Sequence, residues 1–249
     1  MTTRSRIEWT EYTWNPVTGC TKVSAGCKHC YAEVMARRLQ AMGVAGYERG
    51  FRLQLRPDRL GEPLDRTKPT IYFVNSMSDL FHPQIPDDYI DRVFATMREA
   101  TWHIFQVLTK RPERMAQYLG RRKLPEHIWV GTTVENRRHG VPRIAHLQKV
   151  RSAIRFLSVE PLLQDVGDID LQGISWVIVG GESGPGARPM NPDWARNVQR
   201  QCEAADVSFF FKQWGAFGSD GVRRSKKANG SQLDGRFWTE MPAPLLATA

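Results

Sequence analysis

Three of the four cysteines in the chain fall inside one eleven-residue stretch, at Cys20, Cys27 and Cys30. Cys27 and Cys30 have the two-residue gap that lets one loop direct two thiolates at a single metal centre. Cys20 stands six intervening residues upstream and reaches the same centre if the loop folds back. Gly19 and Gly26, each just ahead of a cysteine, ease the turns that such a wrap requires. The count of three decides which chemistry to expect. A structural zinc is closed by four protein ligands, which would here need His29 or Cys202 as the fourth. An iron–sulfur cube held by three cysteines keeps one iron free for a small molecule, and such a centre is reactive. Cys202 shares a four-residue spacing with Trp194 and Val198, so it reads as a buried structural thiol.

The elements that position these thiols follow from periodicity. Residues 7–16 are rich in β-branched and aromatic side chains and stop at Pro16, which predicts a first strand. After the cysteine loop, a helix is expected over 31–42, with Val34, Met35, Leu39 and Met42 as its buried stripe. Residues 43–68 read as a solvated connection carrying Arg49, Arg52, Arg56, Arg59 and Arg66; a basic flap over a polyanion is the sharper alternative. Beyond Pro69, apolar β-rich runs at 70–74, 103–108, 128–130, 154–157, 176–179 and 207–211 alternate with helical patterns. The clearest helices are 87–100 and 191–204, and weaker ones span 111–119 and 137–149. Alternating strands and helices imply a parallel sheet covered by helices. The expectation is a single α/β domain over 1–249: a TIM-like parallel β/α barrel of six to eight strands, complete or incomplete. A doubly wound open sheet is the alternative. The basic cluster and prolines from about 222 onward predict a loosely held C-terminal tail.

Nearly every apolar run hands over to polar residues at its C-terminal end, where barrels of this kind build their sites. These endings include Asn75, Ser76, Ser78 and Asp79, then Lys110 and Arg111, then Glu135. Ser158 and Glu160, Gly180, Gly181 and Glu182, and finally Lys212 and Gln213 continue the series. One polar ending is a loop, whereas six converging beside three cysteines make a site. Lys110, Arg111 and Lys212 could neutralise a substrate carboxylate or phosphate. The glycine-rich stretch 180–186 lacks the Lys-Ser/Thr ending of a phosphate loop, so it reads equally as a permissive turn. Trp9, Trp14 and Trp214 could stack a base, with core packing as the default.

The cysteine stretch resembles the signature of the radical S-adenosylmethionine superfamily, which usually has three residues in the first gap and two in the second. Here the first gap is six. The segments Trp14–Pro16, Asn75–Asp79, Leu108–Arg114, Ser158–Pro161, Gly180–Gly184 and Phe211–Gly215 make the whole chain similar to an uncharacterised phage-associated three-cysteine family. The superfamily resemblance implies a 4Fe-4S cluster on Cys20, Cys27 and Cys30, with S-adenosylmethionine as the second cofactor. It implies reductive cleavage of that cofactor to a 5′-deoxyadenosyl radical, fed by an electron donor such as a flavodoxin or ferredoxin. Asn75, Ser76, Ser78, Glu135, Glu160, Gly180, Gly181 and Glu182 then become the expected lining of the cofactor pocket. Lys110, Arg111 and Lys212 become the expected substrate contacts.

Composition sets the outer bounds. With 41% hydrophobic and 24% charged residues, the 249-residue chain is globular rather than disordered. Thirty-five Lys and Arg against twenty-six Asp and Glu leave a net charge of +9, which favours polyanionic partners such as nucleic acid. Together with the phage-associated resemblance it points to DNA or RNA as substrate, with modification or repair as the expected reaction and a small metabolite or peptide as the open alternative. No apolar run approaches a membrane span and no secretory signal is visible, so a cytoplasmic location is expected. Two other readings compete: a non-catalytic nucleic-acid-binding protein with a zinc-stabilised loop, and an iron–sulfur redox sensor.

Overall fold

The computed structural model describes residues 3–243. Its main sheet has seven parallel strands: β1 (Tyr12–Trp14), β2 (Ile71–Val74), β3 (Ile104–Thr109), β4 (Ile128–Thr133), β5 (Arg155–Val159), β6 (Trp176–Gly180) and β7 (Ser208–Gln213). Spatial order and chain order coincide. A doubly wound sheet must reverse its strand order at a switch point, so this succession excludes that alternative. The sheet curls into a half-barrel without closing. Outside β1 lies a short antiparallel strand, Thr3–Arg4. Outside β7 lies the chain's own C-terminal segment, with the Phe211 N–H donating to the Trp238 carbonyl at 2.9 Å.

Among the described residues six α-helices follow the strands: α1 (Tyr31–Ala41) after β1, α2 (Asp87–Glu99) after β2, α3 (Pro112–Leu119) after β3, α4 (Pro142–Leu147) after β4, α5 (Pro192–Ala204) after β6 and the short α6 (Lys226–Asn229) after β7. Proline opens α3, α4 and α5, where its missing N–H costs nothing. Asn191 caps α5, its side chain accepting from the Asp193 N–H at 2.9 Å. No helix among the described residues is long and apolar enough to cross a membrane.

Two-residue alternation along the strands divides the core. Outward residues such as Tyr72, Val74, Phe105, Val107, Val177 and Val179 pack on Ile90, Val93, Phe94 and Met97 of α2 and on Val198 and Cys202 of α5. Inward residues Phe73, Trp129, Phe156, Trp176, Ile178 and Phe210 form a second cluster together with Trp9. Its rings meet edge-on, with Trp9–Trp176 centroids 6.1 Å apart and Trp129–Trp176 6.2 Å apart. Trp9 therefore plugs the concave face, while Trp14 and Trp214 belong to the outer core; all three are packing residues.

Three expectations need correction. Of the stripe expected on α1 only Leu39 packs inward; Val34 is 55% exposed, Met42 at the C-cap is 67% exposed, Met35 also faces out, and Ala32 and Ala36 are buried instead. Small alanines let the helix approach Tyr47 and Met77 closely, which turns the bulky stripe toward solvent. Residues 43–68 are tied in, with Gln54–Leu55 pairing Val17–Thr18 and the Trp14 Nε1–H donating to the Arg59 carbonyl at 2.7 Å. Residues 225–243 do not hang loosely. Leu233 enters the outer core, and the Trp176 Nε1–H donates to the Glu240 carbonyl at 2.8 Å.

The inner cluster predicts the cost of emptying it. Trp176→Ala should destabilise the fold by about 3–5 kcal/mol, as for other buried aromatic truncations. Phe237→Ala, at a ring 60% exposed on the C-terminal hairpin, should change stability by no more than about 0.5 kcal/mol. Urea unfolding followed by tryptophan fluorescence and circular dichroism checks both.

Candidate metal and cofactor site

The cysteine loop leaves β1 at its C-terminal end and lies across the mouth of the half-barrel. Gly19 sets its course. Its φ of +80° is left-handed, and a Cβ there would fall 2.1 Å from the Arg52 carbonyl oxygen. The Gly19 N–H donates to the Met77 carbonyl at 3.0 Å and the Cys20 N–H to the Phe51 carbonyl at 3.3 Å. A 3-10 turn over Ala25–Cys27 follows, and Cys30 occupies the N-cap of α1. All three thiols are free and partly exposed.

Three buried carboxylate–arginine pairs hold this loop. Asp79, after β2, pairs with Arg111, after β3, at 3.0 Å. The Arg111 guanidinium continues to the Cys20 sulfur at 3.5 Å and to the Thr21 carbonyl at 3.0 Å. Asp79 also accepts from the Thr109 hydroxyl, the Lys110 N–H and the Phe81 N–H, so its four bonds fix the guanidinium in place. Glu135, just beyond β4 and fully buried, pairs with Arg143 of α4 at 2.6 Å and accepts from the Ser24 hydroxyl. Glu182, after β6, takes Arg188 at 2.5 Å, and Arg188 donates onward to the Ala25 carbonyl at 3.0 Å. The loop is thus gripped at 20–21, at 24 and at 25.

Electrostatics follow from this pairing. Burial pushes the Glu135 carboxyl up, but Lys110, Arg143 and the Ser24 hydroxyl outweigh it and hold the group below the usual carboxylate range. Glu182 behaves alike, with Arg188 overcoming its burial. At Cys20, burial and the nearby Asp79 push the thiol up against the pull of Arg111. Cys202 is buried behind the sheet, which raises its thiol to about 12. It is a packing residue.

The remaining expected site residues fall into groups. Asn75 ends β2 with a left-handed φ of +60°, and both polar atoms of its buried amide lack a partner among the described residues. Ser76 bonds the buried Asn15 amide at 3.1 Å, and its carbonyl accepts from the Tyr31 hydroxyl of α1. Ser78 donates to the Val17 carbonyl at 2.8 Å. Glu160 binds Lys212 through both oxygens, at 2.8 and 2.9 Å, and Gly180 lies against it. Gly181 is required by packing, since a Cβ there would sit 1.9 Å from the Trp214 carbonyl oxygen. Lys110 reaches the Thr133 hydroxyl at 3.2 Å. Arg111 and Lys212, expected as substrate contacts, are engaged by Asp79 and Glu160. His29 rests against Gly186. Among the described residues, no three Cys, His, Asp or Glu side chains, the three loop cysteines included, converge on one metal-ion position.

Arg143, Arg188 and Ser24 were not singled out by the sequence. The available signal was an isolated arginine eight residues after Glu135 and six after Glu182, each flanked by apolar residues or proline.

Glu135→Gln leaves Arg143 buried without a counter-charge, a loss of about 3–5 kcal/mol. The melting temperature should fall on the order of 10 °C at neutral pH. Because the folded carboxyl is held low, the stabilisation is complete above the ordinary carboxylate range and is lost as pH falls toward the depressed value. The gap between variant and wild type should therefore narrow below about pH 4, which thermal scans at several pH values will show.

Comparison with known proteins adds the following. Five solved chains match. One, spore photoproduct lyase complexed with dinucleoside spore photoproduct, is 14% identical with a TM-score of 0.45. Another, a mutant of that lyase with bound AdoMet and dinucleoside spore photoproduct, is 14% identical with a TM-score of 0.44. Each match covers 81% of this chain, which spans 63% of the length of those structures. No curated protein matches. A family model described as "Protein of unknown function (DUF5131)" matches residues 4–242, and the chain belongs to that family.

Proposed function

We propose that the protein is a radical S-adenosylmethionine-type iron–sulfur enzyme that modifies or repairs nucleic acid. One observation carries the reading: three free cysteines lie on a single loop fastened across the C-terminal mouth of an incomplete parallel barrel. Catalytic groups of parallel barrels gather at that mouth.

The donor set fits a 4Fe-4S cluster better than zinc. Three thiols are present, Cys202 is buried elsewhere, and His29 packs on a glycine. Cys20, Cys27 and Cys30 would hold the cluster, with Arg111 and the start of α1 offsetting its negative charge. The unpartnered amide of Asn75 is the strongest candidate contact for S-adenosylmethionine, and Ser76, Ser78, Glu160 and Gly180, at the same C-terminal strand ends, are further candidates. When bound, the two cofactors would supply a reductive cleavage that generates a hydrogen-abstracting radical. The chain's own work is to exclude water and hold the substrate in place. Its aromatic plug closes the floor of the half-barrel, and Lys110 stands above as a cation for an anionic group. Glu135, Glu182 and Gly181 act indirectly, by holding the loop and the mouth. Lys212 and Glu160 form one unit that keeps both charges satisfied. The reducing electron comes from a separate donor such as a flavodoxin or ferredoxin.

Anaerobic reconstitution should give a brown protein with about four irons and four sulfides per chain, and reduction with S-adenosylmethionine should yield 5′-deoxyadenosine and methionine. Alanine at Cys20, Cys27 or Cys30 should abolish both. A colourless protein with one zinc, or a cluster that never cleaves the cofactor, contradicts the proposal. Asn75→Gly separates function from structure: glycine suits the left-handed backbone, and the amide it removes has no bond to lose. Stability should hold or rise, while cofactor affinity falls about tenfold, as for one or two lost hydrogen bonds. A lower melting temperature with unchanged cofactor binding would give Asn75 a purely structural role.

A further inference from the structure

Of the five arginines between residues 43 and 68, three are occupied by the fold. Arg56 binds Asp58 at 2.9 Å, Arg59 binds Glu62 at 3.0 Å, and Arg66 donates to the Thr70 hydroxyl at 2.7 Å while lying 4.2 Å over the Tyr12 ring. Arg49 and Arg52 are exposed and have no such partner among the described residues. Both line a groove of about 610 Å³ whose wall includes Cys20. Lys22 and Arg37 line it as well. Its single acidic lining residue, Glu33, is divided between Lys22 at 2.9 Å and Arg37 at 2.7 Å. Four cations therefore face one carboxylate, beside the first cysteine of the candidate cluster. Phe51, half-buried, stands between Arg49 and Arg52 in sequence and lines the same groove.

We infer that this groove binds the phosphodiester backbone of a nucleic acid strand, with Arg49 and Arg52 as its phosphate contacts. The inference rests on the proposed function for its substrate class and adds the surface along which the substrate lies. A guanidinium offers a planar fork that matches phosphate oxygens. The Phe51 ring packs partly against the Tyr47 and Met77 cluster and its remaining surface lines the groove, where a base can stack, a pairing that serves single strands of any sequence. The basic groove and the barrel mouth share Cys20 and Thr21, since Arg111 reaches the same two residues from within. A strand held in the groove thus runs beside the reactive centre.

The test is fluorescence anisotropy of the full-length protein with fluorescein-labelled oligothymidine and oligouridine, over 50 to 200 mM salt. Each phosphate contact on a single strand contributes about 0.7 to the salt slope. Arg49→Gln with Arg52→Gln should make the slope shallower by about 1.4, so that the loss of affinity across that range shrinks roughly sevenfold. Arg121→Gln with Arg151→Gln removes the same net charge from exposed positions at the opposite end of the barrel and should keep the wild-type slope. Equal slopes in wild type and the groove variant, or equal changes in both variants, overturn the inference. The stronger of the two oligonucleotides identifies DNA or RNA as the source of the phosphates. Binding is read without cluster or cofactor, so its failure leaves the radical reading standing, and failure of cofactor cleavage leaves the groove standing.

Discussion

A buried carboxylate paired with an arginine occurs three times around one barrel mouth, and the candidate site depends on that repetition. Asp79–Arg111, Glu135–Arg143 and Glu182–Arg188 come from the ends of different strands, and each reaches the cysteine loop. The loop itself is short of apolar anchors: Val23 is exposed, and Ser24, Gly26 and Cys27 are only partly buried. Polar grips therefore position the thiols, where a hydrophobic core would ordinarily do so. Buried ion pairs add little net stability compared with apolar packing, but removal of either partner is costly. Such a design trades stability for a fixed geometry of the loop that carries the three thiols.

The half-barrel supports this arrangement by layering. Trp9, Trp129, Trp176 and their neighbours fill the concave floor with rings, and the inward positions further along the same strands become Lys110, Thr133, Glu135 and Glu160. One alternation rule thus yields an apolar plug below and a charged rim above. Incomplete closure matters as well. β1 and β7 do not meet, and the C-terminal hairpin covers the outer side of β7, protecting an edge that would otherwise invite pairing.

Much of this was legible from the residues. The rhythm of apolar runs identified seven strands, because that signal is local, and the cysteine spacing put three thiols on one loop after the first of them. A parallel barrel places all C-terminal strand ends on one face, so the polar strand endings share that face. Partner choice was not legible. Lys212 and Arg111 read as free cations, yet Glu160 and Asp79 take them, and such pairings depend on register between strands 30 to 50 residues apart. The exposed stripe of α1 shows a second limit. Periodicity in Val34, Met35 and Met42 established a helix, but the smaller Ala32 and Ala36 won the contact because close approach favours small side chains. The C-terminal segment misled for a related reason: its basic run and prolines concealed Leu233 and Trp238, two residues sufficient to fasten it to the core.

The central claim is that three sulfurs of one gripped loop hold a cluster with an open corner. Electron paramagnetic resonance of the anaerobically reconstituted, reduced protein, recorded with and without S-adenosylmethionine labelled at its amino nitrogen, tests it most directly. The account predicts a reduced-cluster signal that shifts when the cofactor is added and acquires a coupling to the labelled nitrogen. A signal indifferent to the cofactor, or no cluster signal from protein that carries a stoichiometric zinc, would contradict it.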